Sequence, residues 1–259
     1  MGSRASGEQR TWASVLRAAA YLAAGAFVLT TVLYLLDATD VLRASPVFRQ
    51  TGRGQVADEA TFFAALFNHQ HAIWWDIALR DTLGPVAVLS LAGVGLALAN
   101  LRGWRPSMQL TVALLSFGAV FVTVNSLLYL GELNYWRFGG WSAHPAAGMV
   151  AIGRSAEGID HLTVYPEALG YTLVAVALVV LVRHGLRAQL GSSTTALGYA
   201  AAASLLGLVV CQVATFDVGY DVFAVIAGIV LGPAFLVGLS RTVVPPLVRP
   251  ETQLRTAAS

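Results

Sequence analysis

The sequence predicts an all-α polytopic membrane protein with six transmembrane helices, on the evidence of its composition, its apolar runs and its charge distribution. Of its 259 residues, 56% are hydrophobic and 12% are charged, and the mean hydropathy is +0.67. A soluble domain carries about 25% charged residues, which cover its surface toward water. So few charges are typical of a chain surrounded by lipid, where helices satisfy their own backbone hydrogen bonds.

Six apolar runs are long enough to cross a bilayer core, which requires about 20 residues per helix. The runs cover residues 15–36, 82–101, 108–130, 165–182, 195–216 and 220–239. Glycine, serine and threonine within them favour close helix packing in lipid. The first run is longer than the core of a secretory signal, about 7–15 residues, so we expect it to be retained. We therefore expect one integral membrane domain over residues 1–259, with flexible tails at 1–11 and 250–259.

The arginines predict the orientation of the chain, because cytoplasmic segments near membrane spans carry an excess of positive charge. With the N-terminus in the cytoplasm, ten of the sixteen arginines lie on the cytoplasmic side, although the opposite segments are longer. Both termini are then cytoplasmic, and residues 37–81 and 131–164 form two long extracytoplasmic loops. Loops of this length usually carry function or structure of their own. We expect short interfacial helices in them, one of which begins near Asp58.

Polar side chains within the predicted spans collect toward the outer leaflet. In the first and third spans they recur at positions i, i+4 and i+7, which places them on one helical face. In the fourth span, Glu167 and Tyr171 stand one turn apart after Pro166, which we expect in the first turn.

Polar groups in lipid are costly unless they pair or face a wet cavity. The pattern therefore predicts a funnel that opens outward. Its candidate ligand-binding residues are Tyr34, Asp37, Asn125, Tyr129, Glu132, Glu167, Tyr171 and Gln212. The alternative is an interfacial belt of tyrosines, with Asn125 and Gln212 bonding between helices.

Histidines in the predicted outer loops raise the hypothesis of a metal centre. The candidate ligands are His69, His71, Asp76 and His161, because imidazole with carboxylate suits zinc, copper or non-haem iron. On a helix, however, His69 and His71 point about 160° apart, so their spacing matches no ready-made helical ligand set. The competing interpretation is a helix on the outer surface that leads into the second span. In that helix two adjacent tryptophans lie at the headgroups, and Asp76 and Arg80 form an i, i+4 ion pair.

Signatures of common enzymes are absent from the sequence, which contains no G-x-S-x-G, Walker-type loop, dinucleotide fingerprint or C-x-x-C. The dispersed arginines give no basis for nucleic-acid binding. In size, span number and the aromatic segment GELNYWRFGGW at residues 131–141, the chain resembles integral subunits of copper membrane monooxygenases. The aspartate–histidine–histidine ligand run of their metal-bearing subunit is not found, so the resemblance assigns no ligands here.

We expect a non-enzymatic protein of the bacterial inner membrane that binds a small ligand, a lipid or a partner subunit through its extracytoplasmic face. The bacterial source is inferred from basic residues that are all arginine, in an alanine-rich chain, as GC-rich genomes favour. No cofactor is expected, and the partners are the lipid bilayer with other membrane subunits or a second copy of the chain. The second hypothesis is a metalloenzyme, or an accessory subunit of a membrane oxidoreductase or monooxygenase complex, that uses a transition metal. The third is a small transporter, which would need polar groups that continue toward the cytoplasm.

Overall fold

The computed structural model describes residues 2–45, 56–137, 144–186 and 189–243, without the side chains of 2–6, 56–58, 132–137 and 160–161. These ranges contain helices and no strand, which confirms the all-α class. The helices are α1 (Gly2–Ala38), α2 (Val56–Ala72), α3 (Trp74–Arg102), α4 (Pro106–Arg137), α5 (Ala146–Val180), α6 (Ser192–Val213), α7 (Asp217–Val225) and α8 (Gly232–Val243). One π-helical turn, Leu181–Gly185, extends α5, and a second, Ile226–Leu231, joins α7 to α8.

Within the described residues, six helical rods are long and apolar enough to cross a membrane. They are Gly7–Ala38, Trp74–Arg102, Pro106–Gly131, Ala146–Gly185, Ser192–Val213 and Asp217–Val243. The shortest rod, on α6, is about 33 Å long at 1.5 Å per residue, which is enough for a hydrocarbon core of about 30 Å. At most half of the residues in the most apolar stretch of each rod are buried. Large apolar side chains such as Phe117 and Leu127 face outward, as a lipid-facing surface requires. The structure thus supports a multi-pass membrane protein.

The six rods form a closed ring in which each rod packs against the next one along the chain. The contacts run from α1 to α3, α4, α5 and α6 in turn, then to α7 and α8, and α8 returns to α1. Neighbouring rods run in opposite directions. One end of the ring, called the polar end below, carries the C-termini of α1, α4 and α6 and the N-termini of α3, α5 and α7. The larger apolar core lies toward the other end, around Leu16, Leu98, Leu181 and Leu239.

Two glycines bring α4 and α5 into close contact, as small residues do in membrane helix pairs. A Cβ atom added to Gly118 would lie 2.9 Å from the carbonyl oxygen of Gly170. A Cβ atom added to Gly170 would lie 2.7 Å from the Cγ2 atom of Val122. Both distances are shorter than a normal van der Waals contact, so this crossing has no room for a larger residue.

The segment expected to be the second outer loop, residues 131–164, is mostly helical where the structure describes it. Residues 131–137 belong to α4, and residues 146–164 form the first turns of α5. Pro166 therefore lies inside α5, and the prediction that it occupies a first turn is wrong. Gly158, which by propensity weakens a helix, also lies inside α5. Tertiary packing outweighs these local preferences.

The packing partner of this part of α5 is α2, the short helix expected near Asp58. Phe63 and Phe67 of α2 form an apolar cluster with Met149 and Val150 of α5. The ring of Phe63 lies directly over Gly153, where no side chain would fit. Arg154 Nη2 of α5 also lies 2.8 Å from Glu59 Oε2 of α2. The two helices thus hold each other in place at the polar end.

The start of the second span and the N-terminal tail also differ from the sequence prediction. α2 ends at Ala72, and Ile73 alone separates it from α3, which begins at Trp74 instead of residue 82. The surface helix expected to lead into the second span is therefore two helices, with the break at Ile73. Residues 2–11, expected to be a tail, belong to α1, and the expected tail at 250–259 lies outside the described residues.

Candidate functional site

The helical ring encloses a cavity of about 780 Å³, to which all eight helices contribute lining residues. This volume is within the range of small-molecule sites, about 300–1,000 Å³. Along α5 the lining extends from Val164 to Leu178, which is about 21 Å at the rise of an α-helix. Four lining residues at the polar end are exposed: Ala38, Ser45, Thr215 and Asp217. Among the described residues, the cavity therefore reaches the surface at this end.

The lining changes from polar to apolar along the length of the cavity. At the polar end it includes four tyrosines, four carboxylates, Arg80, His69 and the amides of Asn125 and Gln212. Beyond them the lining is formed by Leu178, Ala201, Leu205, Phe235 and Leu236. The site is consequently amphipathic, with hydrogen-bonding and charged groups near its opening and hydrocarbon at its far end.

Seven of the eight candidate ligand-binding residues line this cavity. They are Tyr34, Asp37, Asn125, Tyr129, Glu167, Tyr171 and Gln212, from α1, α4, α5 and α6. The backbone of Glu132, the eighth candidate, belongs to α4, and its side chain lies outside the described residues. The structure thus places the candidates together, and their role in ligand binding stays a prediction.

Sequence reasoning missed several polar lining residues on α3 and α7, notably Arg80, Asp81 and Tyr220. The reason for α3 is that residues 74–81 were assigned to a loop, whereas the helix already begins at Trp74. A signal was present, because Ile77, Arg80, Asp81 and Gly84 stand at positions i, i+3, i+4 and i+7. That spacing places all four on one helical face.

Hydrogen bonds between side chains join neighbouring helices around the opening of the cavity. The Tyr34 hydroxyl donates to Asp221 Oδ1 at 2.6 Å and links α1 to α7. Gln212 Nε2 donates to Glu167 Oε2 at 2.7 Å and links α6 to α5. Hydrogen bonds of this kind are electrostatically stronger in a low-dielectric environment than in water. They hold the polar end of the ring together around an open interior.

Arg80 is the central cation of the site, and its partner differs from the expected one. Its Nη1 atom lies 3.5 Å from Asp37 Oδ2, and its guanidinium carbon lies 5.8 Å from the centroid of the Tyr34 ring. The predicted Asp76–Arg80 ion pair is wrong, because both carboxylate oxygens of the fully buried Asp76 lack a hydrogen-bond partner. Asp76 instead occupies the first turn of α3, where the helix dipole favours negative charge.

Buried acceptor atoms without a donor mark the part of the cavity beside Glu167. Asn125 is 4% exposed, and neither its Oδ1 atom nor Gln212 Oε1 has a hydrogen-bond partner. The orientation of the Gln212 amide is fixed by its Nε2–H bond to Glu167, so its oxygen is the free acceptor. A buried acceptor without a donor costs about 1–3 kcal/mol. These atoms are suited to accept hydrogen bonds from a ligand.

The candidate metal ligands are not brought together among the residues whose side chains are described. His69 is buried, with Nε2 3.5 Å from Asp37 Oδ1, whereas His71 is exposed. The side chain of His161 lies outside the described residues. Within the described part of the chain, no group of three or more histidine, cysteine, aspartate or glutamate residues is arranged to hold a metal ion. His69 thus belongs to the polar end of the cavity.

The turn after α1 positions Ser45 at the opening of the cavity. The Ser45 backbone N–H donates to Asp40 Oδ1 at 2.8 Å. Hydrogen bonds from the Ser45 backbone and hydroxyl hold the pKa of the Asp40 carboxyl below its usual range. The charged form of Asp40 therefore favours this turn above its unfolded pKa, and the contribution is lost as the pH falls through the lowered value.

Comparisons of the chain with protein-family models, curated proteins and solved structures found no match. The fold and the cavity define a multi-pass membrane protein with an internal amphipathic site.

Proposed function

We propose that this chain is a multi-pass protein of the bacterial inner membrane that binds a small ligand in its central cavity and has no enzymatic activity. The observation that carries the proposal is the cavity of about 780 Å³ with polar groups at one end and apolar groups at the other. Intramembrane polar residues are costly, and a shared cavity is the setting in which they serve a ligand. Buried acceptors of Asn125 and Gln212 that lack donors support the same function.

The proposed orientation directs the polar end of the cavity toward the extracytoplasmic side. Arg102, Arg105, Arg183 and Arg241 lie at the opposite end of the rods, and positive charge favours the cytoplasmic side. Both termini are then cytoplasmic. The ligand reaches the site from the outer side of the membrane or from its outer leaflet.

Binding is favoured over transport by the character of the inner half of the cavity. Its far end is lined by apolar side chains such as Leu178 and Phe235. A polar solute that crossed the membrane would need polar groups along the whole pathway. An apolar far end instead suits the hydrocarbon part of a ligand that stays bound.

Asn125→Leu tests the proposed function, because it removes the deep amide and leaves the side-chain volume nearly unchanged. The protein is extracted in polymer-bounded native membrane discs and analysed by native mass spectrometry. We expect one small molecule bound per natural protein chain and roughly ten-fold weaker binding to Asn125→Leu. Loss of a buried hydrogen bond of about 1.4 kcal/mol corresponds to that factor in affinity.

The matched control is Thr111→Val, a change of the same kind on the same helix. Thr111 is fully buried, its hydroxyl donates to the Ser107 carbonyl, and it lies about 21 Å along α4 from Asn125. It should retain the molecule at the level of the natural protein. Natural protein that carries no small molecule, or equal retention by both variants, would overturn the proposed function.

A further inference from the structure

The cavity contains more negative than positive side chains. Asp37, Asp81, Glu167 and Asp217 line it, and Arg80 is the arginine among its lining residues. Arg80 is already placed against Asp37 and the Tyr34 ring. In the described part of the chain, no arginine or histidine lies within ion-pair distance of the other three carboxylates. Carboxylates within a membrane are costly unless they are paired or protonated, so this lining favours a ligand with positive charge.

The amides of Gln212 and Asn125 each leave an acceptor oxygen in the cavity lining without a donor. Gln212 donates its Nε2–H to Glu167, and its Oε1 atom is left buried without a donor. Asn125, 4% exposed, likewise has an Oδ1 atom without a donor. An ammonium group has three N–H donors and no acceptor. It satisfies these atoms, whereas a carboxylate or phosphate leaves them without donors and is repelled by Glu167.

Tyrosine rings add a second feature that attracts cations. Tyr34 and Tyr220 meet edge to face with ring centroids 5.6 Å apart, and Tyr171 lines the same part of the cavity. Ring faces attract cations that lie within about 6 Å of the centroid. The guanidinium of Arg80, 5.8 Å from the centroid of Tyr34, already uses one such face.

A second, smaller cavity lies beside this polar region, on the outward side of α5 and α6. This cavity of about 200 Å³ shares Val164, Gln212 and Thr215 with the main one. Its other lining residues, Tyr165 and Val213, are 65% and 52% exposed on the outward face of α5 and α6. The two cavities therefore adjoin at these shared residues between α5 and α6, where the Gln212–Glu167 hydrogen bond links the two helices.

We propose that the ligand is a protonated amine with a single apolar chain, taken up from the outer leaflet between α5 and α6. Its ammonium group lies at Glu167, Gln212 and Asn125, and its chain extends toward Phe235. This inference rests on the proposed function, because it names the ligand class of the same cavity. An amphiphile explains both halves of the lining, since its charged head and its chain need different surroundings.

The test uses three nitroxide-labelled ten-carbon probes that differ only in their head group: decylamine, decanol and decanoate. Each is titrated into the full-length protein in lipid nanodiscs, and the immobilised fraction is measured by electron paramagnetic resonance. We expect the amine to saturate one site and to bind at least about ten-fold more tightly than the other two probes, as a charge-assisted hydrogen bond predicts. Glu167→Gln should weaken amine binding roughly ten-fold and change alcohol binding by less than about three-fold.

Glu157→Gln is the matched control, because it removes the same charge from an exposed position of α5 outside the cavity lining. It should leave amine binding unchanged, and thermal unfolding of both variants checks that they are folded. Tighter binding of decanol or decanoate, or equal amine binding by Glu167→Gln and Glu157→Gln, would overturn the cationic assignment. If no probe saturates while native mass spectrometry still finds a bound small molecule, the ligand class is wrong and the proposed function stands. If both measurements find nothing, both proposals fall.

Discussion

Thr215 lies at the opening of the cavity in a backbone conformation that β-branched residues rarely adopt. Its φ angle is +52°, in the turn between α6 and α7. A left-handed conformation costs an ordinary L-residue about 1–2 kcal/mol, and asparagine tolerates it better. The strained residue lies beside Gln212 and Asp217, both of which line the cavity. Such strain is often located at ligand sites.

Replacement of Thr215 by asparagine should therefore stabilise the protein. We expect Thr215→Asn to increase the free energy of unfolding by about 1 kcal/mol, because the new residue adopts the left-handed conformation at lower cost. The measurement is the midpoint of thermal unfolding in a mild detergent. Thr82→Asn serves as the control, since Thr82 is exposed inside α3 and helical. A Thr215→Asn variant that is no more stable than Thr82→Asn would show that the backbone at Thr215 is not strained.

Individual site residues differ in how readily the sequence reveals them. Asn125 could be predicted because an amide deep in an apolar run is costly in lipid unless it pairs or faces a cavity. Arg80 and Asp81 were missed because residues 74–81 were assigned to a loop, although their spacing with Ile77 and Gly84 already places them on one helical face. The partner of Arg80 could not be predicted. Asp37 is 43 positions away in the sequence, yet in the structure it is the carboxylate that Arg80 contacts, and not Asp76 on the same helix.

The contact between α4 and α5 gives a test at the level of secondary structure elements. Gly170 faces Val122 and the carbonyl oxygen of Gly118, and an added Cβ atom would come within 2.7 and 3.0 Å of them. Gly158, on the same helix, has open space in that direction. The same substitution should therefore have opposite effects at the two positions.

Alanine is favoured over glycine inside a helix by about 0.5–1 kcal/mol. Gly158→Ala should gain this stability, whereas Gly170→Ala should lose about 1–3 kcal/mol because the helices must move apart. Thermal unfolding of both variants in the same detergent measures the difference. Similar stabilisation by both variants would show that α4 and α5 are not in close contact at Gly170.

The elements themselves were easier to predict than their ends. Five of the six apolar runs lie within rods long enough to cross a membrane, and the fifth run, 195–216, extends three residues beyond the end of its rod at Val213. Composition over about 20 residues is a strong signal. Residues 146–164 were misassigned because glycine and proline are local signals for loops. The contact of Phe63 with Gly153, which opposes that signal, is about 90 positions apart in sequence. Periodicity within one segment does not reveal it.

At the scale of the whole molecule, closure of the ring creates the site. Contact between α8 and α1 encloses the cavity, and sequence periodicity indicates which face of a helix is polar but not which helices are neighbours. That polar residues collect toward one end of the spans could be predicted, and this end is the polar end of the ring. The size of the cavity and its apolar extension toward Phe235 follow only from the arrangement of all the helices.

In the proposed orientation, the cavity is open to the extracytoplasmic side of the membrane, and the natural chain contains a reporter for this opening. Cys211 is the one cysteine of the sequence, and it lines the cavity within the membrane-spanning helix α6. Cys211 is treated with the membrane-impermeant cation methanethiosulfonate ethyltrimethylammonium in right-side-out and in inside-out membrane vesicles. Its modification is measured by mass spectrometry, and Cys211→Ser is the blank. We predict modification in right-side-out vesicles and little in inside-out ones. Modification only in inside-out vesicles, or only after denaturation, would show that the cavity is not open to the extracytoplasmic side.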